Sequence, residues 1–310
     1  MTRVVITGAS GLLGRALVKD FKENGFTVFG LAKSRVSPGL LALDLLDSDA
    51  LRSKVRELRP DVIIHSAAYR QPDQVEGDAE GARRMNVHVP QVLAELAAEL
   101  KAQLLYISTD YVFDGVSPPH MADDQPNPLN LYGQTKYEGE QATLKHCPGS
   151  LVLRVPILYG PVEYLAESAV TVLFGALLNP PAGGYTVSDL EVRYPAHVRD
   201  VAAMCRQLIE KQRQDRDGVF GIFQWSGQEP VTKYTLVQQM AALFGLPLDH
   251  VSACRTPPTS GTRRPMDSRL DTSGLRRLGI GQHVPLAQGL HESLLPWAEQ
   301  QAGDASAGSC

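Results

Sequence analysis

Val4-Val5-Ile6-Thr7-Gly8-Ala9-Ser10-Gly11-Leu12-Leu13-Gly14, running on into Arg15-Ala16-Leu17-Val18-Lys19-Asp20-Phe21, is the stretch that decides the fold. An apolar run, a glycine turn and a segment with apolar residues at helical spacing read as strand, turn and helix. That order builds a phosphate-binding device. Backbone free of side chains at Gly8, Gly11 and Gly14 can approach a pyrophosphate, and the first turn of the helix offers unpaired N–H groups and partial positive charge. Three glycines alone build an ordinary loop; with a strand before them and a helix after, the dinucleotide-binding reading is the stronger one.

The pattern repeats outward from this stretch. Strand-like runs follow at 27–31, 62–66, 104–108 and 151–155, alternating with helical patterns at 12–23, 48–58, 82–100 and 131–144. This predicts an α/β fold with a Rossmann-type doubly wound parallel sheet, right-handed crossovers, and a ligand crevice beyond the carboxyl ends of the strands. The dinucleotide-binding domain is expected over residues 1–155. Beyond Val155 the rhythm changes: Pro156, Pro161, Pro180-Pro181, Gly183-Gly184 and Pro195 cut the chain into short pieces. Helical patterns at 198–213, 233–244 and 286–299, with a strand near 219–225, predict a smaller C-terminal lobe over 156–300 for a substrate or partner. From Gln301 the chain carries little apolar payload and is expected to be a flexible tail, 301–310.

Bulk properties exclude several function classes. The 310 residues carry a net charge of −4, 43% hydrophobic and 21% charged residues. The pI near 6.1 leaves no basic footprint for nucleic acid. Cys147, Cys205, Cys254 and Cys310 are scattered without metal-ligand spacing, so no metal site or disulfide framework is expected and a reducing compartment is. The apolar run 169–178 is too short to span a bilayer, and a strand starting near the N-terminus argues against a signal peptide. The expected setting is cytoplasmic.

The second strand ends in Lys33, Ser34 and Arg35, where an acidic residue would bind the adenosine ribose of NAD. Two cations and a hydroxyl there suit a 2′-phosphate instead, which favours NADP over solvated loop charges. Asp44 and Leu45 are placed to meet the adenine, and Asp47 to cap the next helix. Small residues at Ser66-Ala67-Ala68 would let backbone approach the cofactor; His65 reads as a packed histidine, and Arg70 as a residue within reach of a phosphate. At the end of the fourth long strand stands Ser108-Thr109-Asp110, followed by Tyr132 and Lys136 four residues apart on one helix face. A phenol normally titrates near ~10. A neighbouring ammonium, helped by the positive charge of a bound nicotinamide, would lower that value and make Tyr132 a proton donor to a carbonyl held by Thr109.

On these residues the chain resembles the extended short-chain dehydrogenase/reductase superfamily along nearly its whole length. Residues Ser108-Thr109-Asp110-Tyr111-Val112-Phe113-Asp114-Gly115 resemble the signature of dTDP-4-dehydrorhamnose reductases and of their relatives, the regulatory β subunits of methionine adenosyltransferase. The segments 153–160 with 167–172, 193–201, 224–234 and 278–282 resemble the β-subunit branch. The resemblance implies an NADP-binding regulatory protein that associates with catalytic methionine adenosyltransferase subunits and modulates S-adenosylmethionine synthesis. It also implies cofactor contacts at Gly8, Ser10, Gly11, Leu12, Leu13, Gly14, Lys33, Ser34, Arg35, Asp44, Leu45, Ser66, Arg70, Tyr132, Lys136 and Leu158. The alternative is an NADPH-dependent reductase of a nucleotide-linked keto-sugar, with Thr109, Tyr132 and Lys136 catalytic. Arg193, Arg199, Arg263 and Arg264 would then be the candidates to meet a diphosphate.

Overall fold

The computed structural model describes residues 1–257 and 260–307, the side chains of 302–307 excepted. Its centre is a seven-stranded sheet. β1 (Arg3–Thr7), β2 (Thr27–Ala32), β3 (Leu40–Ala42), β4 (Val62–His65), β5 (Gln103–Thr109) and β6 (Leu151–Val155) are six of its strands. Every pairing between them is parallel. A parallel sheet is covered on both faces, so its strands are continuous apolar runs, and alternate residues serve opposite cores. Val4 and Ile6 face one cluster with α1 (Leu12–Glu23); Val5 faces the other with α2 (Ser48–Leu58) and α5 (Val89–Leu100). Asp47 caps α2, its carboxylate accepting the Ala50 amide at 3.0 Å. Two short helices, α3 (Pro72–Gly77) and α4 (Ala79–Arg83), lead into a π-helical turn, Arg84–His88, that continues into α5.

The chain winds outward from β1 in both directions, giving the order β10-β6-β5-β4-β1-β2-β3. The switch point therefore lies between β1 and β4, where open α/β sheets carry their ligands. The seventh strand, β10 (Gly221–Gln224), pairs with β6 and is the edge of this large sheet. The strand expected in the smaller lobe near 219–225 thus belongs to the first layer. So does α8 (Val198–Gln214), whose Val201, Met204, Leu208 and Ile209 join the α1 core. The physical reason is coverage. Without α8 the sheet face beside α1 would leave β5 and β6 bare to water, so the chain returns across residue 155.

The remaining elements form a third cluster. α7 (Thr171–Leu178), α9 (Lys233–Phe244) and α11 (Leu286–Ala307) pack around Val187 of β8 (Tyr185–Ser188) and Val251 of β11 (Val251–Cys254). β7 (Leu158–Tyr159) and β9 (Ala196–His197) form a separate short ladder, and α10 (Ser273–Arg277) packs near β10. The α11 backbone is helical through Ala307, so the segment expected as a flexible tail from Gln301 begins within this helix; residues 308–310 lie outside the described residues. No described helix is long and apolar enough to cross a membrane.

One buried ion pair seats α6 (Leu131–His146) on the sheet. Arg154 of β6 meets Glu140 of α6 through two bonds, 2.9 and 2.8 Å, with both side chains 1% exposed. The Ser108 hydroxyl donates to the same carboxylate at 2.5 Å, and Arg154 reaches Gln224 of β10 at 3.2 Å. Arg154→Met would leave Glu140 buried without its counter-charge, a change that costs about 3–5 kcal/mol. Urea unfolding should show that loss, and a second change, Glu140→Gln, should recover part of it. A loss below ~1 kcal/mol would mean that the pair does not hold the helix.

Candidate functional site

The glycine turn is built by close approach. Gly8 sits at φ +68°, and a side chain on it would strike the Ala67 backbone at 2.9 Å. A Cβ on Gly14 would lie 2.0 Å from the Gly8 carbonyl oxygen, so only glycine lets α1 settle this close to the turn. Gly11 is different. A Cβ there would meet only the Gly8 carbonyl, at 3.3 Å, a tight contact but far milder than the overlaps at Gly8 and Gly14. Gly11 is also the N-cap of α1 and supplies no side-chain cap, which leaves the first amides of the helix free for an anion. The Ser10 carbonyl accepts Arg15 Nη1 at 2.8 Å. Leu13 points its side chain into the core and Leu12 packs against that core, so a ligand would meet them chiefly through the backbone.

The ends of β1 and β4 are stitched together beside this turn. Ser66 Oγ donates to the Thr7 carbonyl at 2.7 Å, and Thr7 Oγ1 lies 2.7 Å from His65 Nδ1. His65 is buried, stacked on Tyr106, and burial holds its imidazole down to about 3, so it is a neutral packed residue. The Ser66 hydroxyl and its amide N–H, which donates to Thr7 Oγ1 at 3.2 Å, are both committed to β1. Beyond β2, Lys33 pairs with Asp44 at 2.8 Å while Ser34 stays exposed. Leu45, placed by sequence against an adenine, is only 6% exposed and packs into the α2–α5 core, so little of its side chain is left for a ring. Arg35 and Arg70 both reach two acids to which sequence reasoning gives no role: Arg35 pairs with Glu163 and Glu167, and Arg70 Nη2 donates to the Glu167 carbonyl at 2.7 Å. Leu158, in β7, is half-buried at the edge of the α1 core.

Across the crevice, Tyr132, Lys136 and Glu140 recur at four-residue spacing on one face of α6, opposite the end of β5. Glu140 is fixed by Arg154. Lys136 is 2% exposed; its Nζ donates to the Ile107 carbonyl at 2.7 Å and sits 4.0 Å from the Tyr106 ring centroid. Tyr132 packs edge-on against Tyr111 at 5.8 Å; the Thr109 hydroxyl donates to Asp110 Oδ1 at 3.1 Å and accepts the Tyr111 amide at 3.2 Å, and Thr109 acts to lower the Tyr132 pKa. In the ligand-free chain Lys136 does not lower the Tyr132 pKa, an effect that the sequence predicts with the help of a bound nicotinamide's positive charge. The ammonium is spent on the Ile107 carbonyl and the Tyr106 ring, and burial pushes the phenol up to about 12. Burial likewise lowers Lys136 to about 7, with Glu140 pulling the other way. Of the four arginines named for a diphosphate, Arg193 is buried with its guanidinium 5.7 Å from the Tyr111 ring centroid. Arg199 pairs with Glu292, Arg264 pairs with Asp73, and the Arg263 carbonyl accepts from Asn130. Next to the crevice, Ala68, Tyr69, Arg70, Gln71, Gln74 and Asp78 line a depression of about 450 Å³.

A glycine turn at the sheet's switch point, an uncapped helix behind it, and a Thr109–Tyr132–Lys136 face opposite define a short-chain dehydrogenase/reductase. The family described as RmlD substrate binding domain matches residues 1–297. Over 297 residues the chain is 48% identical to methionine adenosyltransferase 2 subunit beta of Xenopus tropicalis, covering 95% of this chain and 88% of that one. A dTDP-4-dehydrorhamnose reductase of Aggregatibacter actinomycetemcomitans is 33% identical, over 89% of this chain and 93% of the other. The crystal structure of the reductase of that name from Bacillus anthracis, in complex with NADP, superposes with a TM-score of 0.83 at 26% identity, over 96% and 100% of the two chains. The chain belongs to the RmlD substrate-binding-domain family, on the branch of the methionine adenosyltransferase 2 β subunits.

The lowered pKa of Lys136 has a signed consequence. Its ordinary value is 10.5, so between pH 7 and 10.5 the unfolded chain binds more protons than the folded one. The contribution of Lys136 to stability therefore grows as pH rises through that window and is smallest below pH 7. Wild type and Lys136→Met, unfolded by urea from pH 7 to 10, should differ in slope by up to ~1.4 kcal/mol per pH unit. Parallel slopes would count against the lowered value.

Proposed function

We propose that this chain is an NADP-binding regulatory β subunit that associates with catalytic methionine adenosyltransferase and modulates S-adenosylmethionine synthesis. The observation that carries the reading is the 48% identity to a methionine adenosyltransferase 2 subunit beta across 95% of the chain, both lobes included. A nicotinamide cofactor is supported by the NADP complex of the Bacillus anthracis relative and by the chain's own turn, where Gly11 caps α1 without a side chain and leaves the first helical amides open to an anion.

In this reading the backbone of Gly8, Ser10, Gly11, Leu12, Leu13 and Gly14 faces the pyrophosphate. Lys33, Ser34 and Arg35 meet the 2′-phosphate, and Asp44 and Leu45 border the adenine. Ser66, Arg70, Tyr132, Lys136 and Leu158 line the remainder. The depressed pKa leaves Lys136 largely neutral above pH 7 in the ligand-free chain, so it offers ribose hydroxyls a neutral amine as readily as an ammonium. Bound NADPH would supply a hydride. The second reading, reduction of a nucleotide-linked keto-sugar, is supported by the juxtaposition of Thr109 and Tyr132. Against efficient proton donation at neutral pH stands a phenol held near 12, far above the working range of a general acid.

Two experiments test these assignments. Mixed with catalytic methionine adenosyltransferase, the purified chain should co-elute as a stoichiometric complex and alter its kinetics, without oxidising NADPH in the presence of a dTDP-keto-sugar. Turnover without a complex would reverse the ranking of the two readings. By calorimetry, Gly11→Val should weaken NADP binding at least tenfold, because its branched side chain projects into the room left for the pyrophosphate. Arg35→Asp should shrink the preference for NADP over NAD by a similar factor. Unchanged affinities in both variants would remove the cofactor assignment.

A further inference from the structure

Each cation expected at the 2′-phosphate already holds a carboxylate of this chain. Lys33 is matched by Asp44. Arg35 Nη1 reaches Glu163 Oε2 at 2.5 Å and Glu167 Oε1 at 2.9 Å. Both glutamates lie on the segment joining β7 to α7, which crosses the mouth of the crevice from the side of the smaller lobe.

The two acids are not equivalent. Glu167 has a side chain 2% exposed, takes two bonds from Arg15 at 2.9 and 2.7 Å, and accepts the Glu163 amide at 3.0 Å. Burial alone would raise its pKa, yet the two guanidinium groups and that amide hold it down to about 2, so it is an anchored anion. The Glu163 side chain is 46% exposed, and its other ionic contact is Arg15 at 3.5 Å. Its carboxylate can turn into water while its backbone stays tethered to Glu167. Arg35 itself is held in place. Its backbone takes the left-handed φ of 51°, uncommon for a side chain of this size, and its guanidinium lies 5.6 Å from the Tyr164 ring centroid.

We propose that Glu163 is a built-in competitor for the 2′-phosphate of a phosphorylated dinucleotide and thereby a determinant of cofactor affinity and selectivity. The inference rests on the NADP reading given above. In the ligand-free chain the Glu163 carboxylate occupies Arg35; a phosphate, carrying more charge and more acceptor oxygens, takes its place. Exposed ion pairs are weak enough to exchange in this way, whereas Glu167, itself buried and held by two bonds from Arg15, is not released so easily. NADP must displace Glu163 and NAD need not, so Glu163 lowers the affinity for NADP alone.

Calorimetry of the full chain with NADP and with NAD decides the matter. Glu163→Gln, at an exposed position that leaves the Glu167 anchor intact, should tighten NADP by about two- to fivefold, the range expected for an exposed pair, and leave NAD unchanged. In an Arg35→Ala background the same substitution should have no effect on NADP, because the competition acts through that guanidinium. NADP affinity that is unchanged or weaker in Glu163→Gln overturns the inference, as does an equal gain for NAD or a gain that persists without Arg35. A wild-type chain that binds neither dinucleotide overturns the cofactor reading and this inference together. Wild-type preference for NADP with an unaltered NADP-to-NAD ratio in Glu163→Gln overturns this inference alone.

Discussion

The approach of α1 to the end of β1 constrains everything built around the crevice. With a Cβ on Gly14 the Gly8 carbonyl would be only 2.0 Å away, so the helix could not begin where it does. Shifted outward, α1 would withdraw Leu13, Leu17 and Phe21 from the core that it shares with α8. It would also carry Arg15 away from Glu167, and with it the anchor of the segment that crosses the crevice. Gly8 serves the same end from the other side, since its left-handed backbone lets the turn pass the Ala67 backbone. Gly11 is the least constrained of the three, its Cβ meeting only the Gly8 carbonyl at 3.3 Å. The motif thus combines two glycines that the seating of the helix strictly requires and one that is merely tight, a division that spacing does not reveal.

The opposite wall obeys a different constraint. α6 has little amphipathic character, yet it must present Tyr132 and Lys136 to the end of β5. Its register comes from charge rather than apolar contact. Arg154 and Glu140 compensate each other inside the sheet–helix interface, Ser108 and Gln224 satisfy more of their hydrogen-bonding capacity, and the helix is fixed two turns downstream of Tyr132. A buried pair of this kind adds little net stability but strongly penalises any arrangement that separates it. That suits a helix whose role is to hold a face in register. The same burial governs the two titratable groups above Glu140. Desolvation raises the phenol and lowers the amine, and the polar contacts of Lys136 go to backbone and ring. Proximity along one helix face places groups together without coupling them.

Most of the parallel sheet was legible in the sequence because strands buried on both faces have no polar alternation to confuse the pattern. Residues 151–155, 12–23, 48–58 and 233–244 were read with the bounds that the structure shows. Asp47 as a cap and His65 as a packed residue followed from local chemistry. What escaped was non-local. Strand β10 sits at the far edge of the large sheet because a chain segment 65 residues downstream returns to cover β6, and no local pattern carries that pairing. The short ladders of β7 with β9 and of β8 with β11 are too brief for periodicity to register. Arg154 did leave a trace, as a lone cation in an otherwise apolar strand run. Such a residue in a central strand demands a buried anion, and the search for one leads to Glu140. Glu163 left none, and Glu167 entered only as the first residue of a stretch of resemblance, since acidic residues in a loop ordinarily face water.

The cations around the crevice pose an electrostatic problem that the loop acids answer. Arg15, Arg35 and Arg70 converge from α1, the end of β2 and the end of β4, and packed together without anions they would repel one another. Glu163 and Glu167 supply two of the three negative charges needed, and the Glu167 carbonyl supplies a dipole for the third cation. A cation cluster matched in this way can exist before any ligand arrives. Its cations are already oriented, so little is lost in ordering them when a ligand binds. The cost is that every internal anion also screens the site, so a fully matched cluster would be stable and inert while a bare one would be strongly attractive but poorly held. A cluster with one buried carboxylate and one exposed carboxylate lies between these limits: the first keeps the arginines in position, and the second is the one that a ligand can replace.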